Sequence, residues 1–561
     1  PLAGLARDLE RPREAQERSL RAILARNAGT EFGRAARFGA IARLDGGRLW
    51  REFRAAVPIR PYDAFAPWVE RLKAGEGDVL VPGRPEMFSL TSGSASEPKF
   101  CPVTRAFILE HHRQHLLWMH GCHRDHPGIN AGKYLVVASP AEMGRTAGGI
   151  PYGSMSGKQL ADQSIPVRRR LAVPVPIAAL EPAGARWFNL LLFALAREDL
   201  RVVAAVNPST LTLLADRLER DAEELLDCLE NGLPAGRDAA RPPLCREIAA
   251  RFRPRPARAR ALRQIRRAAG RLVPSDAWPE LRLILTWQGG PAALHLPRVE
   301  ELWGPVPRRC FGLRASEGTF SLPLRDNDPS GVLAVGGHVM EFLPASDDPP
   351  AADAPALGAD QLELGGVYRL LITTSGGFYR YDLGDQVRVT GFNRRTPEIA
   401  FERRSGALLS AVGEKVTERQ AAEALREAAG GLPLNGFTLT WELVAGRLGY
   451  VLAVEWRNGE DELRRDRAGF EPRLRELAAS FDAGLRRRNC EYDAKREDGR
   501  LLPPRCLPLA DRAYENFRAR LAALGRPDGQ LKPPVLAPPP GPGRAPVKGC
   551  PIFDHLPQAL L

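Results

Sequence analysis

Short apolar segments that alternate with helical segments are the feature that most constrains the fold of this 561-residue chain. Met87–Leu90, Lys133–Ser139, Arg201–Val206 and Leu281–Trp287 are rich in apolar or β-branched residues and end at turn residues, which predicts β-strands. Helical patterns such as Ala106–Met119 separate them. Strands that alternate with helices predict an α/β fold with mostly parallel sheets flanked by helices.

After residue 330 the pattern changes to a β-rich one. Gly331–Leu343 and Gly365–Phe392 predict extended strands that are interrupted by glycine pairs. The segment 344–360 between them is rich in proline, alanine and aspartate, which predicts a loop. We therefore expect a β-rich subdomain at the end of a large N-terminal domain, residues 1–403.

A second, smaller domain is predicted to begin at residue 404. A chain of this length exceeds what one hydrophobic core usually spans. Past residue 404 the pattern predicts a new α+β set of elements, with helices at 416–429, 468–488 and 512–524 and strands at 437–444 and 450–456. We assign residues 404–532 to this small mobile domain and residues 533–561 to a proline-rich tail.

Composition limits the class of protein and its compartment. No apolar run reaches the roughly 20 residues that span a bilayer, and Trp187–Ala196 predicts a buried core helix instead. The eight cysteines lack paired CxxC spacing, which predicts reduced thiols. Residues 1–13 carry no apolar signal core. We expect a cytoplasmic protein with no membrane partner.

The formal net charge of +13 is compatible with nucleic-acid binding or with small anionic substrates. Ten arginines fall within Arg246–Arg271, where Phe252 is the single aromatic residue. A single-strand binder needs interleaved aromatic side chains on which bases stack. The pattern favours a solvated helix face, so we expect no nucleic-acid partner.

The first candidate site segment, Thr91–Lys99, follows the strand predicted at Met87–Leu90. Its hydroxyls and free backbone N–H groups are suited to surround a phosphate, and its lysine is suited to neutralise charge. A Walker loop is absent, and an ordinary surface turn is the alternative interpretation. The candidate phosphate ligands are Thr91, Ser92, Gly93, Ser94, Ser96 and Lys99.

Two further segments carry polar groups at turns. Phe311–Gly318 ends with Ser316 and Glu317 side by side, and a carboxylate beside phosphates usually needs a magnesium ion between them. In Gly376–Phe392, Asp385 follows a glycine turn between strands, where an aspartate can accept both ribose hydroxyls. The alternatives are a helix cap or turn for the former and a charged β-hairpin for the latter.

The order and spacing of the three segments resemble the Gretchen Hagen 3 family of auxin-responsive acyl-acid-amido synthetases, in the adenylate-forming superfamily. The most specific match is Tyr-Arg-Tyr-x-Leu-Gly-Asp-x-Val-Arg-Val-Thr-Gly-Phe at residues 379–392. Arg404-Ser405-Gly406, Glu414-Lys415 and Glu418 match a family segment that is similar to the interdomain hinge of the superfamily. The resemblance implies a large adenylate-forming domain followed by a small α+β domain.

The resemblance also implies roles for individual residues. It implies that the 91–99 loop contacts the phosphates of ATP and that Ser316 and Glu317 lie beside them, with Glu317 holding Mg²⁺. Asp385 would bind the ribose, with Tyr379 and Arg404 in the same site. Lys532, in Gln530-Leu531-Lys532-Pro533-Pro534, matches a Lys-x-Pro motif of the family. The catalytic residues implied are Lys99 and Lys532.

Three positions depart from the family pattern. Glu97 stands in the loop where the family usually has glycine, and a carboxylate there would repel phosphates unless it points away or meets magnesium. Leu313 stands where tyrosine is common, and Asp382 stands where the residue is often basic.

Six histidines fall between residues 111 and 126, and His111 and His115 lie one helical turn apart. The pair could share a metal. Because no HExxH pattern accompanies it, we expect these histidines to line a pocket or face water.

The resemblance implies a two-step ligase. The carboxylate of an acid attacks the α-phosphate of ATP, pyrophosphate leaves, and the amine of an amino acid then attacks the acyl-adenylate to give an amide and AMP. Two alternatives stay open, an acyl-CoA ligase of the same superfamily and a nucleotide-binding relative with weakened catalysis. The residues do not identify the acid or the amine.

Overall fold

The computed structural model describes residues 2–91, 99–180, 183–233, 242–346, 349–405, 408–457, 459–514, 516 and 535–537. The chain divides into two compact units, one of residues 1–91 and 99–406 and the other beginning at residue 407. The domain boundary predicted at residues 403/404 lies three residues before this division. Among the described helices, none is both long and apolar enough to cross a membrane.

Six helices open the first unit and pack against its largest sheet. Their apolar side chains, such as Leu20, Phe38 and Phe53, share one core with that sheet. Gln16 ties one of these helices to the sheet, because its buried amide donates to the carbonyl oxygens of Val335 and His338 at 2.7 and 2.9 Å. The helices are α1 Leu2–Glu10, α2 Pro12–Asn27, α3 Glu31–Ala35, α4 Phe38–Ile41, α5 Gly46–Ala56 and α6 Ala66–Lys73.

A small four-stranded sheet follows, and its first two strands pair antiparallel rather than joining the predicted parallel sheet. Their short connection explains this pairing, because parallel neighbours need a crossover of about a dozen residues or more. The elements up to this point are β1 Met87–Thr91, β2 Lys99–Val103, α7 Arg105–Asp125, β3 Lys133–Val137, β4 Gly144–Arg145 and β5 Pro151–Gly153. The sheet has the order β2-β1-β5-β4.

The parallel sheet predicted from the alternating pattern is present and is parallel throughout. The apolar run at 187–196 lies on a helix that adds Leu190, Leu191 and Leu192 to its core, as expected. The new elements are α8 Met155–Ala161, α9 Ile165–Arg168, α10 Ala183–Leu195, β6 Leu200–Ala205, α11 Pro208–Arg220, α12 Ala222–Asn231, α13 Pro242–Arg251, α14 Pro256–Ala269, α15 Pro274–Ala277, β7 Leu283–Leu285, α16 Leu296–Trp303 and β8 Arg308–Arg309. The strand order is β3-β6-β7-β8.

The arginine-rich stretch 246–271 falls largely on α13 and α14, and part of its charge is neutralised within the protein. Arg263 and Arg266 of α14 reach acidic side chains of α11 and α12. Their partners are Asp227 and Glu230 for Arg263 and Glu219 and Glu223 for Arg266.

The largest sheet of the first unit is antiparallel, and a separate two-stranded hairpin precedes it. The predicted β-rich subdomain is therefore present. The hairpin is β9 Arg314–Ala315 and β10 Gly318–Thr319, and the sheet strands are β11 Ser321–Leu322, β12 Gly331–Leu333, β13 Val339–Pro344, β14 Val367–Thr373, β15 Tyr381–Asn393 and β16 Thr396–Arg404. The sheet order is β11-β12-β16-β15-β14-β13.

The second unit has its own core around Trp456, Phe481 and Tyr492. Its elements are β17 Leu408–Leu409, β18 Val416–Thr417, α17 Glu418–Ala429, β19 Leu434–Val444, β20 Arg447–Trp456, α18 Gly459–Arg465, α19 Arg467–Arg488, α20 Cys490–Glu497 and β21 Leu501–Leu509. The main sheet has the order β19-β20-β21. The sequence did not predict β21, which contains three prolines; they are tolerated because β21 is an edge strand.

Residues 535–537, which the sequence assigns to the tail, instead run along β19. The N–H of Leu439 donates to the carbonyl of Val535 at 2.7 Å, and the N–H of Ala537 donates to the carbonyl of Leu439 at 2.9 Å. The fold of the second unit thus extends past residue 533. Most of the helix predicted at 512–524 lies outside the described residues.

Candidate active site

The hairpin of β1 and β2 carries the predicted phosphate loop. Thr91 pairs with Lys99 across the two strands, so the loop leaves and re-enters the sheet at adjacent positions. The Lys99 Nζ atom lies 5.1 Å from the centroid of the Tyr62 ring. Five predicted residues lie outside the described part of the chain: the loop residues Ser92, Gly93, Ser94 and Ser96, and the catalytic candidate Lys532.

The second segment meets the first at the base of this loop. Ser316 and Glu317 form the tip of the β9–β10 hairpin, in which Ala315 pairs with Gly318. The Ser316 hydroxyl donates to the carbonyl of Leu90 at 3.1 Å, which places the hairpin tip beside the last residues of β1. The structure thereby brings together two segments that are far apart in the sequence.

Tyr62 connects these two segments, and no pattern in the sequence indicated this role. Its hydroxyl accepts from the N–H of Phe100 at 2.8 Å and donates to the carbonyl of the same residue at 3.2 Å. Burial is the main cause that raises the pKa of Tyr62, and the nearby carboxylate of Glu317 adds to the rise. Tyr62 therefore stays a neutral hydroxyl beside Glu317 and Lys99.

Glu317 is 5% exposed, and no lysine or arginine among the described residues forms an ion pair with it. A buried carboxylate without a cationic partner is a suitable ligand for a divalent cation. The described residues contain no group of three His, Cys, Asp or Glu side chains that could hold a metal on its own. This arrangement fits Mg²⁺, which usually takes one or two carboxylates and obtains its other ligands from phosphates and water.

The third segment turns tightly between β14 and β15. Gly377 adopts a φ of +92°, and a Cβ atom at this position would lie 2.8 Å from Val81, so glycine is required. The adjacent Phe378 ring packs 6.1 Å from Tyr62 between ring centroids. The described parts of the three candidate segments thus lie near Tyr62 in the first unit.

Asp382, one of the departures from the family pattern, has a structural partner. Its two carboxylate oxygens accept from Arg369 Nε and Nη2 at 2.8 and 2.7 Å. The N–H of Gly384 donates to the same carboxylate at 3.1 Å, which shapes the strand just before Asp385. Leu313, the second departure, lies in the hydrophobic core. Glu97, the third, lies outside the described residues.

Asp385 lies on β15, where it pairs with Arg404 at the end of β16. It is 8% exposed. The N–H of Ser405 donates to the carbonyl of Gly384 at 2.6 Å, and Gln386 Nε2 donates to the Ser405 hydroxyl at 2.8 Å. These bonds fix the backbone on both sides of Asp385, so its position relative to the Arg404 backbone is well defined.

Tyr379 does not fit its predicted contact with a nucleotide. Its side chain is fully buried, its ring stacks on Phe32 with 4.9 Å between centroids, and its hydroxyl donates to the carbonyl of Leu80 at 2.6 Å. Burial also raises the pKa of this phenol. The structure leaves no surface of the side chain for a ligand and corrects Tyr379 to a core residue.

Replacing Tyr379 with phenylalanine is therefore expected to cost stability without weakening ATP binding. The substitution leaves the Leu80 carbonyl without its buried donor, which costs about 1–3 kcal/mol. Urea unfolding and the KM for ATP measure the two effects. Tyr134→Phe is the matched control, because the buried Tyr134 hydroxyl has no hydrogen-bond partner among the described residues. About a tenfold rise in the KM of the Tyr379 variant, the value of one lost hydrogen bond, would contradict its assignment to the core.

Among the described residues, no group of three or more potential metal ligands includes the histidines of α7. Burial lowers the pKa of His111 to about 3 and holds the pKa of His115 well below its usual value. Both rings are therefore neutral at pH 7. His111 lies close to Arg314 of β9 and to His338 in the turn before β13, and His115 also lies close to Arg314. We expected these histidines to line a pocket or face water. The sequence did not indicate that they lie beside Arg314 and His338, which are far away along the chain.

Comparison with known proteins adds a separate line of evidence. Three family models match in sequence order: the GH3 family N-terminal domain at residues 2–308, the central domain at 331–404 and the C-terminal domain at 416–540. Indole-3-acetic acid-amido synthetase GH3.8 of Oryza sativa subsp. indica is 30% identical over 436 residues, which cover 75% of this chain and 71% of the relative. Indole-3-acetic acid-amido synthetase GH3.2 of Arabidopsis thaliana is 26% identical over 440 residues, which cover 74% and 78%.

A solved structure agrees in fold. The GH3.15 acyl acid amido synthetase matches with a TM-score of 0.65 at 21% identity, over 96% of this chain and 93% of the other. At this level of identity the match shows that the two chains share a fold.

Proposed function

The chain belongs to the GH3 family, and on that premise we propose that it is an ATP-dependent acid–amino acid ligase that forms an acyl-adenylate. The curated relatives are named as indole-3-acetic acid-amido synthetases. The acid and the amino acid that this chain uses are not identified by those names. We therefore propose the reaction class from the family, and infer the class of acid separately from the residues of the site.

The observation that carries this proposal is the proximity of the described parts of the three candidate segments in the first unit. The β1–β2 hairpin supports the loop and Lys99, the β9–β10 tip supplies Glu317, and the turn before β15 packs against Tyr62. Phosphate loop, carboxylate and ribose ligand are the parts that nucleotide activation needs, and Asp385 lies farther along β15. A charged β-hairpin of purely structural purpose would not require the other two segments beside it.

In the first step a carboxylate oxygen of the acid attacks the α-phosphorus of ATP, and the bond to pyrophosphate breaks. We propose that Thr91, Lys99 and the loop between them bind the phosphates, and that Lys532 neutralises charge on the reacting groups. Preorganised positive charge of this kind stabilises the transition state more than the ground state. Asp385 would accept hydrogen bonds from the ribose hydroxyls, with Arg404 at the neighbouring position on β16.

Glu317, with Ser316 beside it, is the residue proposed to hold Mg²⁺. When bound, this ion would neutralise charge on the phosphates, which is its usual contribution to phosphoryl chemistry. In the second step the amine nitrogen of an amino acid attacks the acyl carbon, AMP leaves with the bonding electron pair, and the amide forms. The cytoplasmic location stays a prediction from the sequence.

The adenylation step is tested by exchange of labelled pyrophosphate into ATP with a panel of carboxylic acids. We expect exchange above background with at least one acid. If exchange stays at background with every acid while the protein binds ATP, the proposed activity is wrong. Mass spectrometry of products formed with amino acids or with coenzyme A tests the second step, and a thioester product in place of an amide would favour the acyl-CoA ligase.

Replacing Asp385 with alanine is expected to raise the KM for ATP by about 10- to 100-fold, the value of a hydrogen bond to a charged group. The loss should appear mainly in ATP binding, because the ribose is remote from the bond that breaks. Asp353→Ala, at an exposed loop position, is the control. A KM for the Asp385 variant that matches the KM of the control would exclude a ribose contact.

A further inference from the structure

Several buried polar atoms without hydrogen-bond partners cluster behind the β9–β10 hairpin, where it faces α7. Five side chains contribute buried atoms that have no hydrogen-bond partner among the described residues. These atoms are both amide atoms of Gln114, Nδ1 of His115, Nε and Nη2 of Arg314, Oγ1 of Thr319 and both ring nitrogens of His338. Buried polar groups in native proteins are almost always hydrogen-bonded, so such a cluster indicates a bound polar partner.

The cluster is contiguous. Gln114, His115 and the neighbouring His111 lie on one face of α7, at the spacing of helical neighbours. Arg314 pairs with Thr319 across the hairpin, and directly opposed residues of an antiparallel pair have side chains on the same face. Gly318 packs so closely on His338 that a Cβ atom there would lie 2.4 Å from the imidazole. The hairpin, α7 and the turn before β13 therefore enclose one polar region.

Arg314 is the charged member of this region, and no carboxylate among the described residues lies within ion-pair distance of it. Its guanidinium lies 5.0 Å from the ring of Trp118 and 5.6 Å from that of Phe311, so aromatic rings hold it in place. Burial lowers the pKa of Arg314 to about 10. Because this value is still well above 7, the guanidinium is charged at neutral pH.

The surrounding side chains supply hydrogen bonds without adding charge. His338 is fully buried, and burial lowers its pKa, as it does for His111 and His115. A neutral imidazole offers one donor and one acceptor. Glu110 lies beside the cluster: it accepts a hydrogen bond from the Ser375 hydroxyl at 2.7 Å and lies 3.3 Å from His338 Nδ1 without the geometry of a hydrogen bond. The positive charge of Arg314 is thus not cancelled within the cluster.

The hairpin also relates this cluster to the proposed adenylation site. Ser316 and Glu317 form its tip, and Arg314 lies on the strand that leads to this tip. The few extended residues between Arg314 and the tip span at most about 10 Å. An acid whose reacting carboxylate lies beside the tip can therefore extend along the hairpin and place its far end near Arg314.

We propose that Arg314, with Gln114 and the imidazoles around it, binds a second carboxylate of the acid substrate, so that the enzyme activates dicarboxylic acids. This inference rests on the proposed function and specifies its substrate class. A carboxylate accepts two hydrogen bonds from one guanidinium, and such charged pairs are stronger than neutral hydrogen bonds. An acid with an apolar end would leave the polar groups of the cluster unpaired, which is a strong source of discrimination.

The test compares acids of equal chain length that differ in the far carboxylate: pentanoate with glutarate, hexanoate with adipate, and octanoate with suberate. We expect pyrophosphate exchange by the intact protein to favour the dicarboxylate of at least one pair by about 100-fold in kcat/KM. Arg314→Met should reverse that preference, because methionine fills a similar volume without charge. Arg388→Met, at an exposed arginine, is the control and should leave it unchanged.

Ligand binding is measured in parallel as the shift in Tm that each acid produces with ATP present. A larger shift with the dicarboxylate that disappears in Arg314→Met supports the inference, even if exchange stays at background and the proposed function is therefore wrong. Activation of monocarboxylic acids with equal or better efficiency, together with no preferential Tm shift, overturns the inference and leaves the proposed function in place. The unmodified protein alone shows whether a dicarboxylate is preferred, so the inference can be overturned even if Arg314→Met fails to fold.

Discussion

Pyrophosphate exchange is expected to fall by about 100- to 1,000-fold when Glu317 is replaced with glutamine, the usual effect of removing one preorganised electrostatic contact. Glutamine has nearly the same shape but no charge, so it cannot neutralise a divalent cation. The residue is buried at the hairpin tip beside Leu90 and Tyr62, and water cannot readily substitute for its carboxylate. The assay is exchange at several Mg²⁺ concentrations, with the Tm measured to confirm folding.

Two comparisons make this result specific. Glu317→Asp keeps the charge on a shorter side chain and should recover part of the activity, most clearly at high Mg²⁺. Glu398→Gln serves as the control, because this carboxylate is also buried in the first unit but is paired with Arg325. Exchange by Glu317→Gln at the level of the unmodified protein, at the same Mg²⁺ concentration, would exclude the carboxylate as a metal ligand.

Replacing Arg380 with methionine is expected to destabilise the first unit by about 3–5 kcal/mol. Arg380 and Glu341 are each 1% exposed and are joined at 3.1 Å, and Arg380 Nη1 also donates to the carbonyl of Val57 at 3.0 Å. The substitution leaves the Val57 carbonyl without this donor and leaves Glu341 with Arg54 as its remaining described partner. The measurement is urea unfolding monitored by tryptophan fluorescence.

Arg388→Met on the same sheet is the matched control. It pairs with Glu402, and the two side chains are 44% and 35% exposed, so the ion pair contributes only about 0–1 kcal/mol. Equal stability losses for the two variants would mean that burial does not decide the value of these ion pairs. Because Arg380 is adjacent to Tyr381 in the family motif, a stability loss would also show that part of this motif maintains the fold.

The elements that could be predicted from the sequence are those with a clear local pattern of apolar and polar residues, which does not depend on contacts with distant parts of the chain. The β-branched runs at β3 and β6 are typical of strands, and the amphipathic pattern at α17 has a clear helical period. Strand β21 could not be predicted, because its prolines argue against a strand unless its edge position is already known. Likewise, only the tertiary fold shows that α14 arginines meet acids of α11 and α12.

The candidate site shows the same dependence on tertiary structure. Hydroxyls, a carboxylate and glycine turns identified three segments, but not the contact between Ser316 and Leu90 that joins two of them. The predicted nucleotide contact of Tyr379 was wrong because an aromatic residue in a turn can face either a ligand or the core. Here the ring of Tyr379 stacks on Phe32 of α3, a contact that the sequence does not show. Arg314 fell within a predicted segment without a role, since its environment comes from α7 and from residues beyond β12.

The strand-like run of residues 535–537 beside β19 has a consequence for the solution behaviour of the second unit. An open sheet edge presents unpaired N–H and C=O groups that can recruit a strand from another molecule. At Leu439 that edge is occupied by Val535 and Ala537, and at the opposite edge the prolines of β21 remove donors from the backbone. Pairing with another molecule is thus hindered at Leu439 on one edge and at the prolines on the other, and truncating the chain at residue 533 would expose Leu439 to such pairing.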